Sequence, residues 1–166
     1  MEVVATSVIA VFGTLLGSAL TYVFQRRTAD RAQQFTRNER LRQERIEAYC
    51  AFAGALANYR RGQMDLWFAR RDRLPESELR DLRREEQALR AAALEAMFRV
   101  ELLTEEPGPV EAGRQALESI DRINRAGTRA ELDQERTTSR TLLYAFVTSS
   151  KPHVAPPAGG ASVTRP

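Results

Sequence analysis

The hydrophobic pattern of this chain begins with one long apolar segment and continues as amphipathic helices. The segment, Val3 to Phe24, contains no charged residue over 22 positions. A helix of that length spans roughly 33 Å at 1.5 Å per residue, and the hydrocarbon core of a bilayer is about 30 Å thick. The pattern therefore predicts a single transmembrane helix over residues 3–24.

The charges that flank this segment predict its orientation. Arg26, Arg27 and Arg31 follow it closely, whereas no Lys or Arg precedes it. A secretory signal peptide would instead carry basic residues before its apolar core and a small-residue cleavage site after it. Because basic residues concentrate on the cytoplasmic side of membrane helices, we expect a single-pass protein of the cell membrane, with its N-terminus outside and its body in the cytoplasm. The same three arginines are expected to contact lipid headgroups.

Small residues form a strip within the apolar segment. Gly13 and Gly17 form a GxxxG motif, which Ala10 and Thr14 extend along roughly one side. Small residues four positions apart let two transmembrane helices approach closely and gain van der Waals contact. The strip predicts self-association, although Gly, Ala and Ser are also common in membrane helices that do not associate.

Proline and glycine divide the rest of the chain into helices. No proline occurs from residue 25 to residue 74, Pro75 marks one turn, and Pro107-Gly108-Pro109 marks another. The predicted elements are a basic juxtamembrane helix over 25–45, body helices over 46–74, 75–104, 110–126 and 129–148, and a disordered tail over 150–166. The predicted fold class is all-α, with the transmembrane helix continuing into a cytosolic antiparallel helical hairpin or bundle of about four helices.

Apolar spacing within the body predicts how its helices pair. The helix over 75–104 repeats every seven residues and has an a/d seam with one polar position. The seam consists of Leu79, Leu82, Glu86, Leu89, Ala93, Ala96, Val100 and Leu103. Tyr59, Met64, Trp67 and Phe68 lie near one face of the preceding helix. That face predicts either the core of an antiparallel hairpin or a surface for a protein partner.

Composition excludes several kinds of chemistry. The formal charge is +3 and the pI is near 9.5, but Lys151 is the only lysine, which indicates a coding bias toward Arg rather than selection for nucleic acid. The only histidine, His153, lies in the tail. Cys50 is the only cysteine, and its place on an apolar helix side predicts a buried small hydrophobe. We therefore predict no catalytic residue, no metal site and no cofactor, and a protein that is not an enzyme.

Small actinomycete membrane proteins labelled KilB-like resemble this chain in two phrases, GTLLGSALTYVFQRR and RLRQERIEAYCAFAGALANYRRGQ. The resemblance covers roughly residues 1–65. These proteins are similar to plasmid-borne proteins connected with the spread of conjugative plasmids within mycelium. The resemblance implies a membrane-bound, non-enzymatic protein and carries over no catalytic residues.

Together, these features predict a membrane-anchored helical scaffold or adaptor that self-associates and recruits a partner, with the resemblance pointing to plasmid spread. Its predicted partners are membrane lipid, a second copy of the chain and an unidentified protein. The basic surplus lies beside the membrane segment and does not favour nucleic acid. Two alternatives stay open, namely a toxin-like protein whose anchor perturbs the membrane and a membrane tether for nucleic acid.

Overall fold

The computed structural model describes the backbone of residues 2–156 and the side chains of residues 22, 24–28 and 32–156. This part of the chain is helical and contains no strand, so the predicted all-α class is confirmed. Its elements are α1 (Glu2–Arg71), α2 (Glu76–Leu103), α3 (Pro107–Asp121) and α4 (Arg129–Ser150), with single 3-10 turns at Ile123–Arg125 and Lys151–His153. The chain divides into two compact units, Met1–Leu41 and Arg42–Pro166.

The transmembrane part of the predicted fold is not supported by the structure. Within the described residues, no helix has a stretch that is long and apolar enough to span a bilayer. Apart from Tyr22 and Phe24, the side chains of the predicted span over 3–24 lie outside the described set. The residues predicted to mediate self-association, Ala10, Gly13, Thr14 and Gly17, also lie outside it.

All described side chains of the first unit are exposed. Arg26 and Arg27, which were predicted to contact lipid headgroups, are both exposed, and the side chain of Arg31 lies outside the described residues. Phe35 is 67% exposed. This stretch therefore has no apolar core of its own among its described side chains.

The second unit is organised around the α1 residues from 42 to 71. Large buried side chains recur there at helical spacing, including Phe52, Leu56 and Tyr59. The other helices add the apolar side chains of Ala93, Met97, Val100, Ala116, Leu117, Ile120, Leu132 and Phe146 to the same core. Burying one such large side chain stabilises a fold by roughly 1.5–3 kcal/mol. The body is therefore held together by one shared core on α1.

A close approach brings α2 against α1. A Cβ on Gly62 would lie 2.7 Å from Leu89 Cδ1, so the missing side chain leaves room for α2. Near the other end of α2, Arg45 Nε donates to the carbonyl of Leu103 at 2.8 Å. Arg45 precedes Gly62 along α1, whereas its partner Leu103 follows Leu89 along α2, so the two helices are antiparallel. Gly62 itself lies within continuous helix.

The end of α1 is closed by a residue in the left-handed region. Arg73 has φ +53°, and the next amide, of Leu74, donates to the carbonyl of Ala69 at 3.0 Å. The amide of Arg73 donates to the carbonyl of Arg70 at 3.2 Å. This pair of bonds is the Schellman arrangement, in which glycine is the usual left-handed residue. Because Arg rather than Gly occupies this position, prolines and glycines gave no signal for the end of the helix. The helix was therefore predicted to end at residue 74, three residues beyond Arg71.

The start and end of α3 also differ from the prediction of 110–126. Pro107 occupies the first helical position, where a missing amide hydrogen removes no intrahelical bond, so α3 begins three residues earlier. It ends at Asp121, after which a 3-10 turn buries Ile123. The N-terminus of α4 is capped by Thr128, whose Oγ1 accepts from the amide of Glu131 at 3.2 Å.

The start of the predicted disordered tail makes contacts with the body. The chain after Ser150 makes a 3-10 turn, and Val154 packs against the core. Arg42 Nη1 donates to the carbonyl of Val154 at 3.2 Å, and His153 lies 3.3 Å from the Glu106 carboxylate. A Pro-rich composition predicted disorder, but these contacts to the body offset the entropy of ordering the turn. Residues 157–166 of the predicted tail lie outside the described residues.

Two glycines provide a matched test of the packing. A Cβ at Gly113 would lie 2.8 Å from Phe52 Cε1 and 3.1 Å from Met97 Sδ, whereas a Cβ at Gly54 would meet nothing within 4 Å. Gly113→Ala should lower the free energy of unfolding by about 1 kcal/mol, because overpacking outweighs the gain in helix propensity. Gly54→Ala should raise it by roughly 0.5–1 kcal/mol. Urea denaturation followed by circular dichroism measures both, and equal effects of the two substitutions would contradict the packing described.

Candidate functional site

A partly buried polar cluster joins three helices of the body. Tyr59 of α1 donates its hydroxyl hydrogen to Asp121 at the end of α3. Gln63 Nε2 donates to the Tyr59 oxygen at 2.7 Å and to Glu86 Oε1 of α2 at 2.8 Å. Arg90 Nε, also on α2, donates to Asp121 Oδ1 at 3.4 Å. Glu86, the polar position in the predicted seam, thus has a partner on α1.

The electrostatics of this cluster favour a structural role. Burial, followed by the hydrogen bond to Asp121, raises the pKa of the Tyr59 hydroxyl. The hydroxyl therefore stays protonated and acts as a hydrogen-bond donor, since its ionisation would place a second negative charge beside the carboxylate. Gln63 Oε1 is buried without a partner among the described atoms. Such a network fixes the mutual positions of the three helices.

The face predicted as either hairpin core or partner surface lies inside the body. Tyr59 is 1% exposed and Trp67 is 6% exposed, and Met64 and Phe68 are partly buried against the core. The Trp67 indole donates to the carbonyl of Ala126 at 2.6 Å. The four side chains therefore serve packing, and the structure does not present them as a free partner surface.

An apolar groove lies between α1 and the C-terminal end of α4. Its volume is about 160 Å³, and its floor includes Tyr49 and Phe146. The two rings meet edge to face with centroids 6.1 Å apart, and the Tyr49 hydroxyl is 2.8 Å from Thr104 Oγ1. The groove is lined by Ile46, Tyr49, Cys50, Ala53, Phe146, Val147, Ser150, Lys151 and Val154. It is suited to apolar contact and brings no set of reactive groups together.

The prediction that Cys50 is buried is wrong. Cys50 is exposed, and its side chain lies at the groove. It is adjacent in sequence to Tyr49, which is buried, so it occupies the edge of the apolar stripe rather than its centre. Apolar spacing alone does not separate these two positions, because neighbouring residues on a helix point about 100° apart.

Two exposed apolar side chains on α2 were missed by the sequence analysis. Phe98 is 59% exposed and Leu102 is 85% exposed, and they lie one helical turn apart. Both fall outside the predicted seam. Large apolar residues outside the seam were the available signal, and aromatic residues are enriched at protein interfaces.

A comparison with protein families decides the relationship. A family model described as KilB plasmid transfer protein matches residues 46–154. This chain belongs to the KilB plasmid transfer protein family. The match covers the described helical body. The resemblance found in the sequence covered residues 1–65, so the two regions overlap over residues 46–65. No curated protein and no solved structure matches the chain.

The KilB family match assigns no chemistry to individual residues. Within the described residues of this KilB family member, no group of three His, Cys, Asp or Glu side chains is placed to hold a metal ion. The features that the body offers for recognition are therefore the apolar groove, the exposed pair Phe98 and Leu102, and its charged surface.

The Tyr59 cluster generates a pH-dependent prediction. Tyr59→Phe removes a hydrogen bond to a carboxylate and should lower the free energy of unfolding at pH 7 by about 1.5–3 kcal/mol. The unfolded-state hydroxyl ionises near its ordinary pKa of 10.0, whereas the folded-state pKa is raised. The raised pKa therefore contributes fully to the free energy of unfolding below pH 10. This contribution is lost as the pH rises toward the folded-state pKa, by up to about 1.4 kcal/mol per pH unit.

Urea denaturation between pH 8 and pH 11 tests this dependence. The wild-type chain should lose stability above pH 10 more steeply than the Tyr59→Phe variant. Tyr144→Phe is the matched control because Tyr144 is 63% exposed, and it should keep the steep dependence. Parallel curves for the wild type and the Tyr59→Phe variant would contradict the role assigned to Tyr59.

Proposed function

We propose that this KilB family member is a non-enzymatic scaffold for plasmid transfer, anchored in the cell membrane by one N-terminal helix, with its helical body in the cytoplasm. The observation that carries the proposal is the family match over residues 46–154, which is the described helical body itself. Function in plasmid transfer is therefore assigned to the body, and the anchor supplies its location.

Charge and length support the proposed anchor. The stretch over residues 3–24 has no charged residue and is long enough to cross a bilayer as a helix. Arg26 and Arg27 follow it after Gln25, and both side chains are exposed. Their position favours a cytoplasmic body and contact with anionic lipid headgroups, while GxxxG in the segment favours a homo-oligomer.

The chemistry of the buried polar groups supports a role without catalysis. Tyr59 is the largest fully buried polar side chain among the described residues. Burial and the hydrogen bond to Asp121 raise the pKa of its hydroxyl, so Tyr59 is a poor base and a poor nucleophile at neutral pH. Asp121 is occupied by Tyr59 and by Arg90. These groups are committed to holding helices together.

The exposed pair on α2 supports recruitment of a protein partner. Phe98 and Leu102 present two large apolar side chains to solvent on one helix face. Aromatic anchors commonly supply most of the energy of a protein interface. The pair is therefore the surface that we assign to the unidentified protein partner of the scaffold.

Membrane anchoring is tested by deletion. Full-length chain expressed in a bacterial cell should stay with the membrane fraction after alkaline carbonate extraction, because removing an apolar helix from lipid exposes it to water. A variant lacking residues 3–24 should move to the soluble fraction. Deletion of residues 157–166 is the matched control and should leave the chain in the membrane. Full extraction of the wild-type chain by carbonate would reject the anchor.

Recruitment is tested by plasmid transfer in a strain whose own copy of the gene is deleted. The double variant Phe98→Ala/Leu102→Ala should fold normally, because both side chains are exposed. Loss of two interface anchors at about 1 kcal/mol each would weaken partner binding roughly 30-fold, and transfer frequency should fall with it.

Arg84→Ala is the control for this experiment, since that side chain is 81% exposed and its ion pair is with Asp81 on its own helix. It should support transfer at the wild-type level. Normal transfer by the double variant, at equal protein amount and with an unchanged circular dichroism spectrum, would reject Phe98 and Leu102 as the partner surface.

A further inference from the structure

Three arginines lie near the contact between α1 and the middle of α4. Arg60 extends from α1 to α4, where its Nε donates to Ser139 Oγ at 3.0 Å and its Nη2 donates to the carbonyl of Arg136 at 2.9 Å. Arg136 and Arg140 are four residues apart on α4, so their side chains lie on the same helix face. Arg60, Arg136 and Arg140 together are called the arginine cluster.

The arginine cluster has more positive charge than its neighbours neutralise. Asp133 accepts from Arg136 Nη1 at 3.0 Å, but the same carboxylate is also 3.2 Å from Arg129 Nε. Within the described part of the chain, no carboxylate lies within ion-pair distance of Arg60 or Arg140. Both acceptors of Arg60 are neutral oxygens. The cluster thus holds three guanidinium groups against one shared carboxylate.

The surroundings of the cluster increase the energetic effect of this imbalance. Burial, followed by the charges of Arg136 and Arg140, lowers the pKa of the Arg60 guanidinium. Arg136 Nε is a buried donor with no acceptor among the described atoms. Like charges close together at a partly buried position repel strongly, and an anion that binds between them relieves that repulsion.

The cluster also remains reachable from solvent. Arg140 is exposed, and the side chain of Arg136 is 38% exposed. Ser139 and the α4 backbone hold Arg60 in place before any ligand arrives, which reduces the side-chain entropy that binding would otherwise lose. Guanidinium groups bind the oxygens of a phosphate through paired hydrogen bonds, and clusters of them are the common protein site for such groups.

We propose that the arginine cluster is a binding site for a single phosphate group, carried either by a free small molecule or by a lipid headgroup. Arg140 and the exposed part of Arg136 supply the first contacts, and Arg60 supplies charge from the α1 side. The site lies on the helical body and is separate from the apolar groove and from Phe98 and Leu102.

Thermal unfolding of the full-length chain in neutral detergent tests the site, with inorganic phosphate as the probe and sodium chloride adjusted to constant ionic strength. Phosphate at about five times its Kd should raise Tm by about 4 °C, because a ligand that binds only the folded state stabilises it. Arg140→Ala should abolish this rise. Arg84→Ala, which removes an exposed arginine on α2, should retain it.

A second arm distinguishes the sources of the phosphate group. If the ligand is a lipid headgroup, a soluble short-chain phosphatidylglycerol should raise Tm in the wild-type chain but not in Arg140→Ala. If the ligand is a free small molecule, phosphatidylglycerol should raise Tm no further than inorganic phosphate does. A rise in Tm that is equal in the wild type and Arg140→Ala would overturn the proposal. So would no rise in the wild type, or duplex DNA binding that depends on Arg140 without any effect of inorganic phosphate.

Discussion

Each of the three shorter helices buries its apolar face against the same stretch of α1, and this shared contact determines the rest of the body. Phe52 shows the arrangement most directly. Its ring is 5.0 Å from the Phe146 ring of α4, and Gly113 of α3 leaves it space by lacking a side chain. Met97 of α2 reaches the same position. A change in side-chain volume at Phe52 would therefore disturb the packing of all three other helices.

Polar groups set the register that apolar packing leaves open. Apolar helices of similar width slide past one another at little energetic difference, whereas a buried amide or carboxylate must meet its partner. Gln63 meets Glu86 on α2, Tyr59 meets Asp121 on α3, and Arg60 meets Ser139 on α4. Three residues within little more than one turn of α1 thus each define the position of a different neighbour.

The sequence was sufficient for the helical class and for the sites of its turns, because prolines and seven-residue spacing act locally. It was insufficient where a distant contact decided the outcome. Val154 is ordered because Arg42 and the core bind it, and Arg73 adopts a left-handed conformation because the Schellman bonds require one. Neither contact has a local signature. Phe98 and Cys50 show a related limit, since spacing identifies an apolar side of a helix but not how much of that side its neighbours cover.

The positions that α1 joins differ greatly in their separation along the chain. Gln63 and Glu86 are 23 residues apart, whereas Arg60 and Ser139 are 79 apart, and Arg42 and Val154 are 112 apart. Closing a longer loop loses more chain entropy and forms more slowly. During synthesis the hairpin of α1 and α2 is therefore complete while Phe52 and Tyr49 still await Phe146, so a newly made chain exposes part of its core until its last helix has left the ribosome.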